Sequence, residues 1–135
     1  MKMQKLSTVI KRHAITMLVE RSDSNPHMEG GANMDHWQCK LISAKGRMSL
    51  RFSMGKGHGG KPPTLDTVLD CIASDAAGVE GPQTFEGWCQ DYGYDADSRK
   101  AEHTYKTIKR QLGQLERLIG DKDALNDLLF KTERL

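Results

Sequence analysis

Residues 47–54 read Arg-Met-Ser-Leu-Arg-Phe-Ser-Met (RMSLRFSM), and this stretch decides the fold class. Apolar and polar side chains alternate along it without a break. The two sets are Met48, Leu50, Phe52 and Met54, and Arg47, Ser49, Arg51 and Ser53. Because successive side chains of a strand point to opposite faces, the pattern predicts an antiparallel strand with one buried and one solvated face.

Two further strands are predicted upstream, over residues 14–20 and 36–43, because apolar residues alternate there as well. In the second of these, Trp37, Cys39 and Leu41 are expected on one face, and His36, Gln38 and Lys40 on the other. Residues 44–46 suit a hairpin connection, whereas residues 21–34 form a long polar loop with Asn-Pro and Gly-Gly turn signals.

After residue 63 the apolar spacing changes from two residues to three or four, which predicts helices. Capping residues and glycines set the expected ends. The predicted helices run from Thr64 to a break at residues 78–82, from Thr84 to Gly93, from Asp95 or Asp97 to Gly120, and onward from Asp121.

These elements predict an α+β fold: a three-stranded antiparallel sheet followed by three to four helices packed on one face. The 135 residues suit a single domain. Within it, residues 14–54 form the sheet and residues 64–132 the helical part, while residues 1–13 are allowed to be flexible. A meander would bring loops 21–34 and 55–63 to the same end of the sheet.

The three cysteines, Cys39, Cys71 and Cys89, are odd in number and widely spaced, which argues against a disulfide framework. Cys71 and Cys89 fall beside apolar neighbours on predicted helices, where a free cysteine usually packs as a small hydrophobe. No apolar run approaches the roughly 20 residues of a membrane span. We therefore expect a cytoplasmic protein without a membrane partner.

Charge is unevenly distributed along the chain. The net charge is +7 over residues 1–63, −8 over residues 64–97, which contain no Lys or Arg, and +3 over residues 98–135. The eight acids of the middle segment are Asp66, Asp70, Asp75, Glu80, Glu86, Asp91, Asp95 and Asp97. They form either a solvated helical surface balanced by Lys40, Arg47 and Arg51, or an acidic surface that docks on a basic partner.

The glycine-rich loop after the third strand resembles a phosphate-binding P-loop, from Gly55 through Gly60 to Lys61. The next position must supply a Ser or Thr hydroxyl to magnesium, and Pro62 has neither hydroxyl nor N–H. A nucleotide site is therefore not expected. The basic side chains of this loop could instead contact a phosphate backbone or an acidic partner; they are Lys56, His58 and Lys61.

Motifs for catalysis or metal binding are missing from the sequence, which contains neither G-x-S-x-G nor H-E-x-x-H. Asp95-Ala-Asp97 opens like a calcium-binding loop, but Lys100 and Lys106 occupy the positions that need glycine and glutamate. We expect no enzyme activity, no metal and no cofactor.

The stretch VLDCIASDAAG…FEGWCQDYGYDADSRKAEHTY (residues 68–105), preceded by HWQCKL and RMSLRFSMGKGH, resembles a family of small proteins encoded by bacteriophages and prophages. The resemblance covers roughly residues 35–119. It implies a phage origin and a location in the host bacterial cytoplasm. Similar small phage proteins include inhibitors of host defence, anti-CRISPR proteins among them, and the family offers no catalytic residues to carry over.

Two functions are therefore expected. In the first, a phage-encoded protein inhibits a bacterial defence system by docking its acidic surface on a nucleic-acid-targeting complex, such as a CRISPR effector. The alternative is direct nucleic-acid binding through the outer sheet face and the glycine loop. The residues expected in that case are Lys40, Arg47, Arg51, Lys56, His58 and Lys61.

Overall fold

The computed structural model describes residues 3–22, 34–55, 60–80 and 84–133, apart from the side chain of Glu80. Its elements, in chain order, are β1 (Gln4–Lys5), α1 (Leu6–Arg12), β2 (Thr16–Arg21), β3 (Met34–Ile42), β4 (Arg47–Gly55), α2 (Leu65–Glu80), α3 (Phe85–Tyr92), α4 (Arg99–Ile119), α5 (Lys122–Phe130) and β5 (Thr132–Glu133). The α+β class is confirmed.

Strands β2, β3 and β4 form an antiparallel sheet in that order. Cross-strand pairing places Val19, Cys39 and Leu50 in one row and Leu18, Lys40 and Ser49 in the next. The first row belongs to the inner face, where Cys39 is fully buried, and the second to the outer face, where Leu18 is 62% exposed. The alternation of residues 47–54 therefore predicts the faces of β4 correctly.

Apolar sides of the helices cover the inner face of this sheet. One continuous core joins Leu41 and Met48 from the sheet to Leu69 of α2, Leu115 of α4 and Leu128 of α5. A second, smaller core holds α3 against α4 and centres on Trp88, which is 3% exposed. The fold thus has two layers, the sheet and the helices that pack on its inner face.

Several helix ends agree with the sequence prediction. Thr84 caps α3 and Asp121 caps α5, each through a side-chain oxygen that accepts a backbone N–H. Gly93 ends α3 at φ 74°, a conformation that glycine adopts without strain. The predicted cap of α4 at Asp95 or Asp97 is wrong: Ser98 accepts the N–H of Ala101, while Asp95 accepts that of Asp97.

The N-terminal segment differs from the expectation of flexibility. Residues 6–12 form α1, whose Leu6 and Val9 are buried in the main core. Strand β1 pairs in parallel with β5, and Gln4 Nε2 donates to Thr132 Oγ1 at 3.1 Å. Both ends of the described chain are therefore tied together. Helix α2 ends at Glu80, within the predicted break of residues 78–82.

The turn between β3 and β4 docks on the end of α4. Ser43 Oγ donates to the carbonyl oxygen of Leu118 at 2.6 Å, and it accepts the backbone N–H of Gly46. A Cβ on Gly46 would lie 2.8 Å from the carbonyl oxygen of Arg117. Only glycine allows the turn and the helix backbone to approach this closely.

Gly46→Ala should destabilise the fold by about 1–3 kcal/mol, because the added methyl must push the turn away from the α4 backbone. Gly113→Ala is the matched control, since open space surrounds that position. It should stabilise the protein by about 0.5–1 kcal/mol through helix propensity. Urea unfolding followed by circular dichroism measures both changes. Midpoints that move in the same direction would contradict this account of the turn.

Candidate binding surfaces: an acidic aromatic patch and a basic sheet face

The acids of α2 do not lie on a single face. Helical geometry places successive residues about 100° apart, so Asp66 and Asp70 share one edge of α2. Asp75 lies about 180° from Asp66 around the helix axis, on the opposite edge. Between these edges, Val68 and Leu69 belong to the side buried in the main core. The expected acidic surface is therefore divided into two parts.

Most of the predicted acids are exposed and unpaired. Among the described residues, five of them make no ion pair within 4 Å: Asp66, Asp75, Glu86, Asp95 and Asp97. Asp70 and Asp91 each have a polar or electrostatic interaction and are not counted as unpaired. The side chain of Glu80 lies outside the described residues.

Tyr92 is an exposed aromatic residue at the C-terminal end of α3. The apolar spacing of α3 suggests that Tyr92 is buried with Phe85, Trp88 and Cys89, yet its side chain is 55% exposed. Its ring lies against Trp88, with 5.9 Å between ring centroids. Gly78 of α2 also packs against Tyr92, because a methyl group at Gly78 would overlap the Tyr92 hydroxyl and ring.

The second core fixes the position of α3 and hence of Tyr92. Trp88 stacks on Tyr94 at 4.9 Å between centroids and contacts the Tyr105 ring of α4 at 5.1 Å. Phe85 meets the same Tyr105 ring edge-on at 5.1 Å. Tyr92 is therefore presented from a rigid base, as aromatic residues at protein interfaces commonly are.

Three acidic residues lie near Tyr92 along α2, α3 and the turn that follows α3. Asp75 precedes Gly78 by three residues, which places it about one helical turn from the Tyr92 contact. Asp91 adjoins Tyr92 on α3, and Asp95 follows in the next turn of chain. We call Tyr92 with Asp75, Asp91 and Asp95 the Tyr92 patch. Asp66 lies on the far edge of α2 and does not belong to it.

Carboxylates near α2 and α3 raise the pKa values of two thiols, those of Cys71 and Cys89. Burial raises the pKa of the Cys71 thiol, and the carboxylates of Asp70 and Asp75 raise it further. Burial likewise raises the pKa of Cys89, with added contributions from Glu86 and Asp95. The Asp75 carboxyl itself has a raised pKa because the surrounding protein removes part of its hydration. Carboxylates of α2, of α3 and of the turn after α3 thus act on both thiols.

The basic face is the outer face of the sheet. Lys40, Arg47 and Arg51 are all exposed there, on the two strands β3 and β4. Lys40 and Arg47 make no ion pair with another described residue. Since α2 lies on the inner side of the sheet, the basic outer face and α2 lie on opposite sides of the sheet.

Other predicted residues fall elsewhere. Lys61 is exposed before α2, while Lys56 and His58 lie outside the described residues, as do residues 23–33 and 56–59 of the two predicted loops. His36, expected on the wet face, is only 1% exposed and its Nδ1 lies 2.8 Å from Ser53 Oγ. Cys71, expected to pack as a hydrophobe, is exposed.

Within the described ranges, no three His, Cys, Asp or Glu side chains converge in a way that could hold a metal ion. The helices in those ranges are all too short or too polar to cross a bilayer. No protein-family model, no curated protein and no solved structure matches this chain. The fold and its surfaces therefore define an α+β protein with a basic outer sheet face and a separate acidic region on α2 and α3.

The accessible thiol offers a direct probe of the acidic field. In the native protein, a thiol reagent should modify one cysteine per chain, Cys71, because Cys39 and Cys89 are buried. All three should react in denaturant. The native rate should rise as pH increases through the raised pKa of Cys71, since only the thiolate reacts.

Asp75→Asn should speed this native reaction, because removing a negative charge favours the Cys71 thiolate. The increase should be a few fold at most, since water screens the interaction between exposed groups. Asp66→Asn is the control and should leave the rate unchanged, since Asp66 does not act on Cys71. Equal acceleration by both substitutions would show a general charge effect and contradict the local field.

Proposed function

We propose that this protein is a non-catalytic, phage-encoded binding protein that inhibits a bacterial defence system. It docks on a nucleic-acid-targeting complex through the Tyr92 patch. The observation that carries the proposal is the half-exposed Tyr92 ring, which packs against Trp88 and Gly78 and has Asp75, Asp91 and Asp95 nearby along α2, α3 and the turn that follows. The resemblance to phage proteins supplies the biological setting.

The chemistry of the patch suits a protein partner with a basic surface. A Tyr side chain provides a large contact area at small entropic cost and frequently carries much of the binding free energy. A surrounding rim of carboxylates accelerates encounter with a positively charged surface more than it deepens affinity. Surfaces that normally bind nucleic acid are positively charged, so they complement this patch.

Substitution of the aromatic centre tests the proposal. Tyr92→Ala should weaken binding to the defence complex by about 2 kcal/mol, roughly thirtyfold, because interface Tyr residues are often binding hot spots. Gly78→Ala should weaken it too, since the new methyl displaces the ring without changing charge. Binding to purified CRISPR effector complexes is measured by pull-down and titration. Circular dichroism checks that each variant is folded.

Charge reversal provides a second arm with a matched control. Asp75→Lys should reduce the association rate with the complex, and the reduction should shrink at high salt. Asp66→Lys changes net charge equally, but on the far edge of α2, and should leave the rate nearly unaltered. If the Tyr92→Ala variant still inhibited the defence system fully, the Tyr92 patch would be eliminated as the docking surface. Equal losses of association rate in the two charge-reversal variants would eliminate it as well.

A further inference from the structure

A polar cleft lies between the outer part of the sheet and α4. Its volume is about 560 Å³. Strand residues Gln38, Ser49, Leu50 and Arg51 line one side, and His103, Thr107, Arg110, Gln111 and Gln114 of α4 line the other. The Tyr92 patch uses none of these side chains, so the cleft is a separate feature of the molecule.

Helix geometry explains why α4 presents a continuous polar wall here. The lining residues recur at spacings of three or four, which places them on one side of the helix. Ile108 and Leu115 lie on another side and are buried in the two cores. From His103 to Gln114 the wall extends about 16 Å, given a rise of about 1.5 Å per residue.

The lining is rich in hydrogen-bond donors and contains no carboxylate. It combines two guanidinium groups and an imidazole with Gln amides and with Ser and Thr hydroxyls. Arg110 is exposed and makes no ion pair with another described residue. Two acids lie near the cleft without lining it. Glu102 adjoins His103 in sequence and forms an ion pair with Lys106 at 2.7 Å, and Glu20 is the cross-strand partner of Gln38. Because the lining has two guanidinium groups and no carboxylate, the cleft favours an anion.

We propose that this cleft binds the phosphodiester backbone of a nucleic-acid strand. Arg110 and Arg51 contact phosphates, and the Gln, Ser and Thr side chains donate hydrogen bonds to phosphate and sugar oxygens, as such residues commonly do. Lys40 and Arg47 extend the contact across the same sheet face. The proposal stands independently of docking through the Tyr92 patch.

The extent of the positive surface favours a strand over a small anion. Arg47 and Arg51 are four residues apart on β4, a distance of about 13 Å along the strand. A single phosphate cannot reach both, whereas a polymer with regularly spaced phosphates can. Among its described residues, the outer sheet face carries no Phe, Tyr or Trp, so stacking on bases is not available there. Contacts to phosphate and sugar carry no direct sequence information, so binding should be insensitive to base sequence.

Fluorescence anisotropy with a labelled 20-nucleotide DNA, alone and as a duplex, tests this site at several salt concentrations. We expect binding at 50 mM salt that weakens steeply as salt rises. Contact with three phosphates of a duplex predicts a log–log slope of about −2.7. Two unrelated sequences should bind equally. Excess inorganic phosphate at constant ionic strength should compete poorly, since it lacks the second contact point.

Arg110→Gln should lower the affinity and reduce the magnitude of the salt slope by about one. Lys109→Gln removes the same charge from the neighbouring residue, whose ammonium lies over the Tyr105 ring outside the cleft, and should have little effect. Both are surface substitutions that leave the cores intact. Absence of binding at 50 mM salt, equal losses in both variants, or efficient displacement by inorganic phosphate would each overturn the proposal.

Discussion

Burial of the inner faces of β3 and β4 is the constraint from which the remaining surfaces follow. Leu41 and Met48 are at most 2% exposed and belong to one core with the helices. Burying such a side chain stabilises the fold by about 1.5–3 kcal/mol, whereas an exposed ion pair contributes about 0–1 kcal/mol. Apolar burial therefore sets the register, and a one-residue slip would bury Arg47 and Arg51 instead.

This constraint also separates the charges. Once the inner face is covered, the alternating residues of β3 and β4 must face outward, which exposes Lys40, Arg47 and Arg51. The same packing turns the apolar side of α2 towards the sheet, so the acids of α2 must lie at its edges or its outer side. The basic outer sheet face and the acids of α2 thus end up on opposite sides of the sheet because of packing, and Lys40 and Arg47 make no ion pair with another described residue.

Sequence patterns correctly predicted the features that depend on residues close together in the chain. Alternation located β2, β3 and β4, and Thr84, Gly93 and Asp121 marked helix ends because capping depends on immediate neighbours. Helix α1 was missed because Lys5 offers no side-chain cap, and its Leu6 and Val9 gain their stability from distant core residues. The exposure of Tyr92 and the cleft at Arg110 were missed for a similar reason. Both depend on which elements, distant in sequence, pack against α3 and α4. The spacing of apolar residues along one helix does not predict those contacts.

The two surfaces differ in the kind of partner that each can accept. The Tyr92 patch offers an aromatic anchor and carboxylates, which suit a basic protein surface and repel phosphates. The basic face with the α4 cleft offers guanidinium groups and amides, and no Phe, Tyr or Trp among its described residues, which suits a phosphate backbone. A nucleoprotein complex presents both chemistries side by side. If both surfaces are used, each would exclude the other's ligand by charge, and the direction of the molecular field would orient the protein before contact.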